Sequence, residues 1–219
     1  MSRGPWQGYF WRVFSVGLLC SMFGAMPLQA QENATIHFRW GFGVFAQEGK
    51  ATTLTSIKED TTLKTGQEFK LFVELLAPCY VYVLHHGPQE EVQLLFPYDR
   101  ARFPADYPIG KVYAMPSEHD ARYRINAPAG RETFYIFAAA QRLTELEQQL
   151  DAYATTPPVD QPRVAAAIVK DVRNLIRQHR AAVQPGRPVP IAGNLRLDVE
   201  GVEIQAQTFY SKTITIEHQ

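Results

Sequence analysis

The chain has 219 residues, of which 46% are hydrophobic, and it carries 22 basic against 22 acidic side chains. That balance does not suggest a nucleic-acid partner, which needs a basic excess. The hydrophobic share is enough for a domain held together by an apolar core.

Residues 1–30 read as a secretory leader. Arg3 and Arg12 form a basic start, Val13 to Met26 is an uncharged apolar stretch, and Leu28-Gln29-Ala30 after Pro27 is a cleavage site. The apolar stretch of 14 residues falls short of the roughly 20 that cross a bilayer as a helix; an uncleaved anchor is the alternative. Leu19 before Cys20 stands where a lipid-modified leader needs a small residue. Cleavage after Ala30 predicts one domain over residues 31–219, with 20 of the 22 basic residues facing all 22 acidic ones. Cys79 is then the only cysteine left, which excludes an internal disulfide. It is expected as a buried, inert thiol; a reactive thiol or a bond to another chain is the alternative.

The first strand is predicted over Thr35 to Phe45, where Ile36, Phe38 and Trp40 alternate with His37 and Arg39. Gly41 and Gly43 imply a bulge or a close backbone approach. A weak strand surrounds Leu54. Glu68 to Leu75 places Phe69, Leu71 and Val73 on one face and Lys70 and Glu74 on the other. Tyr80 to Leu84 is apolar on both faces, as a central strand covered on both sides would be. His85-His86-Gly87-Pro88 reads as a turn. Val92 to Phe96, Lys111 to Met115, Tyr123 to Asn126 and Thr133 to Ala138 follow as further short strands, the pattern of a sandwich or barrel.

Two helices interrupt this series, at about residues 144–155 and 161–184. Thr144 and Glu147 have the spacing of a capping box, and Leu143, Leu146, Leu150 and Tyr153 form an apolar stripe. Asp160 is the predicted N-cap of the second helix, with Pro162 in its first turn. Its apolar face carries Val164, Ile168, Val172, Leu175, Ile176 and Val183. Residues 184–193 read as a Pro-rich crossing loop. Leu195 to Val199 and Val202 to Ala206 then suggest a hairpin through Glu200-Gly201, and Thr213 to Glu217 a closing strand.

Leu63-x-x-Gly66-x-x-Phe69, Tyr80-Val81-Tyr82-Val83 and Leu94-Leu95-Phe96-Pro97 occur in order, followed by Gly110-x-x-Tyr113-x-x-Pro116 and Gly130-x-Glu132-x-Phe134-Tyr135-Ile136. Over residues 63 to about 140 the chain resembles the bacterial domain-of-unknown-function family 4384. Members stand beside caspase-like peptidases, kinases or other envelope modules, or alone behind a leader. The resemblance implies an accessory or binding β-domain and supplies no catalytic residues.

Of the polar clusters, His85-His86 with His119 lacks metal-ligand spacing and reads as exposed turn histidines, so no metal or cofactor is expected. Ser117-Glu118-His119-Asp120 has triad residue types, but four consecutive loop residues do not bring side chains together from separate segments. Glu132, in an apolar strand, is expected to tie a turn by accepting backbone amides. Two surfaces are candidates for partner binding. Lys170, Arg173, Arg177 and Arg180 recur every three or four residues as a basic stripe for an acidic partner or anionic lipid headgroups; a solvated helix face is the alternative. In the loop Pro97 to Pro108, Tyr98, Arg100, Arg102, Phe103 and Tyr107 combine aromatics and arginines among prolines; a loop folded back on the core is the alternative.

The sequence therefore predicts an exported α+β protein, an antiparallel β-sandwich (Ig-like or jelly-roll-like) of seven to nine strands with an inserted helical hairpin. The expected role is a non-enzymatic module of the bacterial cell envelope that binds another envelope protein, in the periplasm or secreted. A small-ligand or lipid carrier with an inter-sheet cavity is the first alternative and a hydrolase-type enzyme the second. No convergence of polar groups in a concave pocket is expected.

Overall fold

The chain is described by a computed structural model over residues 36–48, 51–103, 105–118, 120–180, 185–192 and 198–219. Residues 1–30, read from the sequence as a leader, lie outside these residues, as do His119, Val183 and Leu195 to Leu197.

Alternating apolar residues drive the early strands into two sheets. One sheet holds β1 (Ile36–Glu48), β4 (Glu68–Leu75), β7 (Val112–Met115), β10 (Arg187–Ala192) and β11 (Asp198–Ala206), in the order β10-β11-β1-β4-β7. Two short strands extend it: β2 (Ala51–Ser56) pairs with β1 and β8 (Tyr123–Arg124) with β4. The other sheet contains β3 (Thr61–Leu63), β5 (Tyr80–His86), β6 (Val92–Phe96), β9 (Gly130–Ala139) and β12 (Phe209–His218), in the order β3-β12-β9-β5-β6. Pairing is antiparallel apart from the three-residue β3, which runs parallel to β12. The α+β sandwich expected from the sequence is the observed architecture, with twelve strands among the described residues instead of seven to nine.

The core lies between the sheets. Phe38, Trp40, Phe42 and Val44 of β1 face Val81 and Val83 of β5, Phe134 and Ile136 of β9, and Ile214 and Ile216 of β12, all in one buried cluster. Phe42, Phe69 and Phe134 meet with ring centroids 5.0–5.5 Å apart, and each such contact adds about 0.5–1.5 kcal/mol beyond burial. The first and last strands thus enter the same core as the segment between them. Cys79 belongs to this cluster at 1% exposure, and burial pushes its thiol up to about 11. The folded protein is therefore expected to leave Cys79 unmodified by iodoacetamide at pH 8 and to become reactive only in denaturant; rapid labelling of the native protein would show the thiol to be accessible.

A second apolar layer explains why β5 is hydrophobic on both faces. Tyr82, Leu84, Tyr135, Phe137 and Phe209 point away from the core and are covered by α1 (Thr144–Ala154) and α2 (Gln161–Gln178). On α2 the buried positions are Ala165, Ile168, Val169 and Val172, with Val164, Leu175 and Ile176 packed at the margin. The predicted stripe from Val164 to Ile176 is the covered face, and Ala165 and Val169 widen it. The helix ends at Gln178, short of the predicted 184.

Other differences have local causes. The capping box does not form. Leu143 occupies the N-cap without a side-chain cap bond, and Glu147 turns inward. There it accepts Tyr82 Oη at 2.7 Å and Arg142 Nε at 2.8 Å. Asp160 does precede α2, with Pro162 in its first turn, but makes no side-chain cap bond. Residues 187–192 are an edge strand rather than a loop. Pro188 and Pro190 fall on alternate positions, leaving the ladder to Arg187, Val189 and Ile191 and removing donors from the free edge. Glu200-Gly201 lies mid-strand in β11, where a side chain at Gly201 would come 2.7 Å from the Trp40 carbonyl oxygen. Gly43 is likewise a close approach: Leu54 and Val199 lie within 2.6 Å of where its Cβ would be. His85 and His86 are strand residues and half-buried, not turn residues exposed to water.

The outer face of the β1 sheet carries a small apolar cluster of Phe72, Ile191 and Val199, and beside it an ion network. Glu203 of β11 accepts Arg39 Nε at 2.8 Å and Arg187 Nη2 at 3.0 Å, with His37 Nε2 at 3.3 Å, while Arg39 also meets Glu74. The Arg39 bond is the main reason that the Glu203 carboxyl is held down at about 2. A depressed carboxyl stabilises the fold above its unfolded value and loses that contribution as pH falls through the folded one. Thermal stability is expected to drop between about pH 4.5 and pH 2, and Glu203→Gln should flatten that segment of the curve. An identical acid profile in the variant would remove Glu203 from the account.

Candidate functional site

Along β9 and β12 the outer face of the helix-covered sheet changes character. Phe137, Ala139 and Phe209 are under the helices, whereas Thr133, Thr213 and Thr215 continue the same face beyond them. The period-2 alternation of a strand puts these hydroxyls on one surface with Tyr135. α2 forms the wall beside this floor, and the space between is a groove of about 680 Å³.

The wall is cationic. Lys170, Arg173 and Arg177 line it from α2, and Arg131 and His86 from the sheet. Among the described residues Glu90 is the one carboxylate in the lining, and it meets His86 Nε2 at 3.1 Å. Arg173 Nε donates to Tyr135 Oη at 3.0 Å, which fixes the guanidinium at the junction of wall and floor. Arg177 donates to the Asn174 side chain, and Lys170 makes no ion pair among the described residues. These three cations have no carboxylate partner there, so their donors remain available to an anion. Arg131 is paired with Glu217 at 2.9 Å, and both are exposed. Such a pair is worth at most about 1 kcal/mol and opposes a competing anion weakly.

The predicted basic stripe thus divides. Lys170, Arg173 and Arg177 line the groove, while Arg180 lies beyond the end of α2, exposed and outside the lining. Sequence reasoning did not place Arg131, His86 or the threonines beside the basic stripe, because the pairings Thr133↔Thr215 and Tyr135↔Thr213 join residues about 80 positions apart. The alternation of Thr213 and Thr215 with Ile214 and Ile216 was the available signal.

The second predicted surface does not assemble. Phe103 and Tyr107 are core residues, at 2% and 7% exposure. Their rings pack on Phe96 with centroids 5.8 and 5.2 Å away, and Tyr107 Oη accepts the Asp99 amide at 2.9 Å. Arg100 reaches Asp151 of α1, and its carbonyl accepts Arg142 Nη2 at 2.6 Å. Tyr98 donates to the Ala114 carbonyl while half of its side chain stays exposed. Arg102 alone is fully exposed, between Asp99 and Asp106. The loop is folded back on the core and α1 because its aromatics have more to gain from burial than from water.

A further concavity of about 450 Å³ opens between the two sheets at one end. His85 of β5, Glu132 of β9 and Arg122 and Arg124 near β8 converge there, contrary to the expectation that no such convergence exists. His85 Nε2 and Glu132 Oε2 are 2.5 Å apart, and the imidazole stacks on Phe134 at 4.8 Å. Glu132 therefore meets a histidine from the neighbouring strand instead of tying a turn through backbone amides. Arg122 and Arg124 both bind Glu68, at 3.0 and 2.6 Å. No serine, threonine or cysteine lines this cleft among the described residues. In the segment 117–121, the carbonyls of Glu118 and Ala121 accept the buried Lys70 ammonium at 3.1 and 2.9 Å, and burial is the main cause lowering the Lys70 pKa.

Neither a curated protein nor a solved structure matches this chain. A family model does match, over a segment that holds β4 to β9 and every residue lining the inter-sheet cleft but not α2 or β12. Residues 62–142 match the family described as Domain of unknown function (DUF4384), which bears out the resemblance drawn from Leu63 to about residue 140.

Proposed function

We propose that this protein is an exported, non-catalytic β-sandwich module of the bacterial cell envelope that binds another envelope protein by holding one of its acidic segments in the α2 groove. The observation that carries the reading is the placement of Lys170, Arg173 and Arg177, without carboxylate partners among the described residues, over a floor of threonine hydroxyls. A solvated helix face needs no concavity and no ordered hydroxyl floor. Charge complementarity steers such an encounter and makes it sensitive to salt. The leader features of residues 1–30 support export.

The test is calorimetric titration with an Asp/Glu-rich peptide and a Lys-rich peptide of equal length, at low and at physiological salt. The reading expects the acidic peptide alone to bind, with affinity falling about tenfold or more between about 50 and 200 mM salt. No binding of the acidic peptide would overturn it. So would binding confined to vesicles containing phosphatidylglycerol, which would make the groove a peripheral membrane contact.

A further inference from the structure

We infer that the cleft between the sheets is a second, independent binding site, and that its ligand is a neutral saccharide unit. The cleft differs from the groove in charge. Arg122 and Arg124 share the Glu68 carboxylate, His85 is matched to Glu132, and Glu91 accepts the Gln89 amide at 2.9 Å. Among the described residues each charged group of the cleft has a partner within the protein; Arg122 and Arg124 share one carboxylate, which leaves one positive charge over, so phosphate and citrate are the competing ligands of the test.

What the cleft offers instead are planar groups that donate and accept side by side. Gln93 and Asn126 are exposed at the rim, and their side-chain amides are unpaired among the described residues. Such amides match pairs of adjacent ring hydroxyls, each of which is at once donor and acceptor. Behind them Tyr123 is the aromatic that the C–H face of a pyranose can reach, backed by the buried Phe69, Leu95 and Phe134. Tyr123 is half-buried and stacks beside Phe69 at 5.4 Å. A mixed lining of this kind, apolar with a few convergent polar groups, is the usual form of a small-ligand site, and about 450 Å³ is within the usual size.

The test is an amide chemical-shift titration of the full chain with cellobiose, maltose and N,N′-diacetylchitobiose, and separately with sodium phosphate and citrate. At least one disaccharide is expected to shift Tyr123, Gln93 and Asn126 saturably, with Kd of about 0.1–10 mM, leaving Lys170 and Thr213 unmoved. The exposed double variant Gln93→Ala/Asn126→Ala should keep its fold and weaken that binding about tenfold or more. The inference is overturned if no disaccharide shifts these residues, if the variant binds as well as the parent, or if phosphate or citrate produces the same shifts. Failure here leaves the groove reading untouched, since the two sites share no lining residue.

Discussion

Replacing Lys170 and Arg177 together by glutamate is expected to weaken binding of an acidic segment about 100-fold or more while leaving the fold in place. Both side chains line the groove and neither has a carboxylate partner among the described residues. Reversal turns two attractions into two repulsions at one site. At about 50 mM salt the affinity should fall about 100-fold or more, roughly 2.7 kcal/mol, and the remaining binding should lose its salt dependence. The structural penalty is small. Arg177 is the basic residue in the last turn of α2, and a glutamate there costs about 0.3–1 kcal/mol against the helix dipole. For a domain of this size that lowers Tm by roughly 1–4 °C. Arg173 is the less clean choice because its bond to Tyr135 joins helix and sheet. Unchanged calorimetric affinity in the double variant would remove α2 from the interface.

Glu147→Ala is expected to give the largest stability loss of any single polar substitution proposed for this chain, about 3 kcal/mol, lowering Tm by roughly 6–12 °C. Glu147 is 6% exposed and sits between two partners, the Tyr82 hydroxyl and the Arg142 guanidinium. Tyr82 Oη in turn accepts the Leu143 amide at 3.2 Å, so one network closes the start of α1 and fastens it to β5. Removing the carboxylate leaves a buried phenol without its acceptor and Arg142 without its counter-charge. Glu147→Gln retains the acceptor for Tyr82 and should recover about half of the loss. Because α1 and α2 pack as one layer over β5 and β9, the same variant should also weaken binding in the groove. A melting curve that coincides with the parent's would mean that the helices are held by their apolar faces alone.

The sequence was legible where neighbouring residues decide the outcome. Alternation in Ile36 to Trp40 and Ile214 to Ile216, and the two-sided apolar run Tyr80 to Leu84, each reported strands and their burial, because side-chain direction follows directly from strand period. The Pro-Gly punctuation placed the breaks. What stayed hidden was non-local. Pro188 and Pro190 read as loop residues, yet an edge strand tolerates proline where the missing donor faces outward. Gly201 read as a turn because its tolerance in mid-strand depends on the Trp40 carbonyl, 161 residues away in β1. Glu147 has the spacing of a capping box, but Tyr82 offered a buried hydroxyl that a solvent-facing cap does not match.

The candidate site shows the same division. The cationic stripe of α2 is a local feature and was visible in its spacing. The floor that turns the stripe into a groove comes from β9 and β12, and their register became visible only once the sheet was assembled. The aromatic loop erred in the opposite direction. Tyr98 to Tyr107 has the composition of an interface, but Phe103 and Tyr107 found a core within reach. Convergence of His85, Glu132, Arg122 and Arg124 was equally invisible, since it joins three strands through both sheets.

The most direct measurement is an amide chemical-shift map of the domain titrated with an Asp/Glu-rich peptide at low salt. If anion recognition by the helix–sheet groove is correct, the saturating shifts cluster on Arg131, Thr133, Lys170, Arg173, Thr213 and Thr215 and collapse as salt is raised. Shifts centred instead on Arg39, Arg187 and Glu203, or on Tyr98 and Arg102, with the groove resonances still, would contradict it.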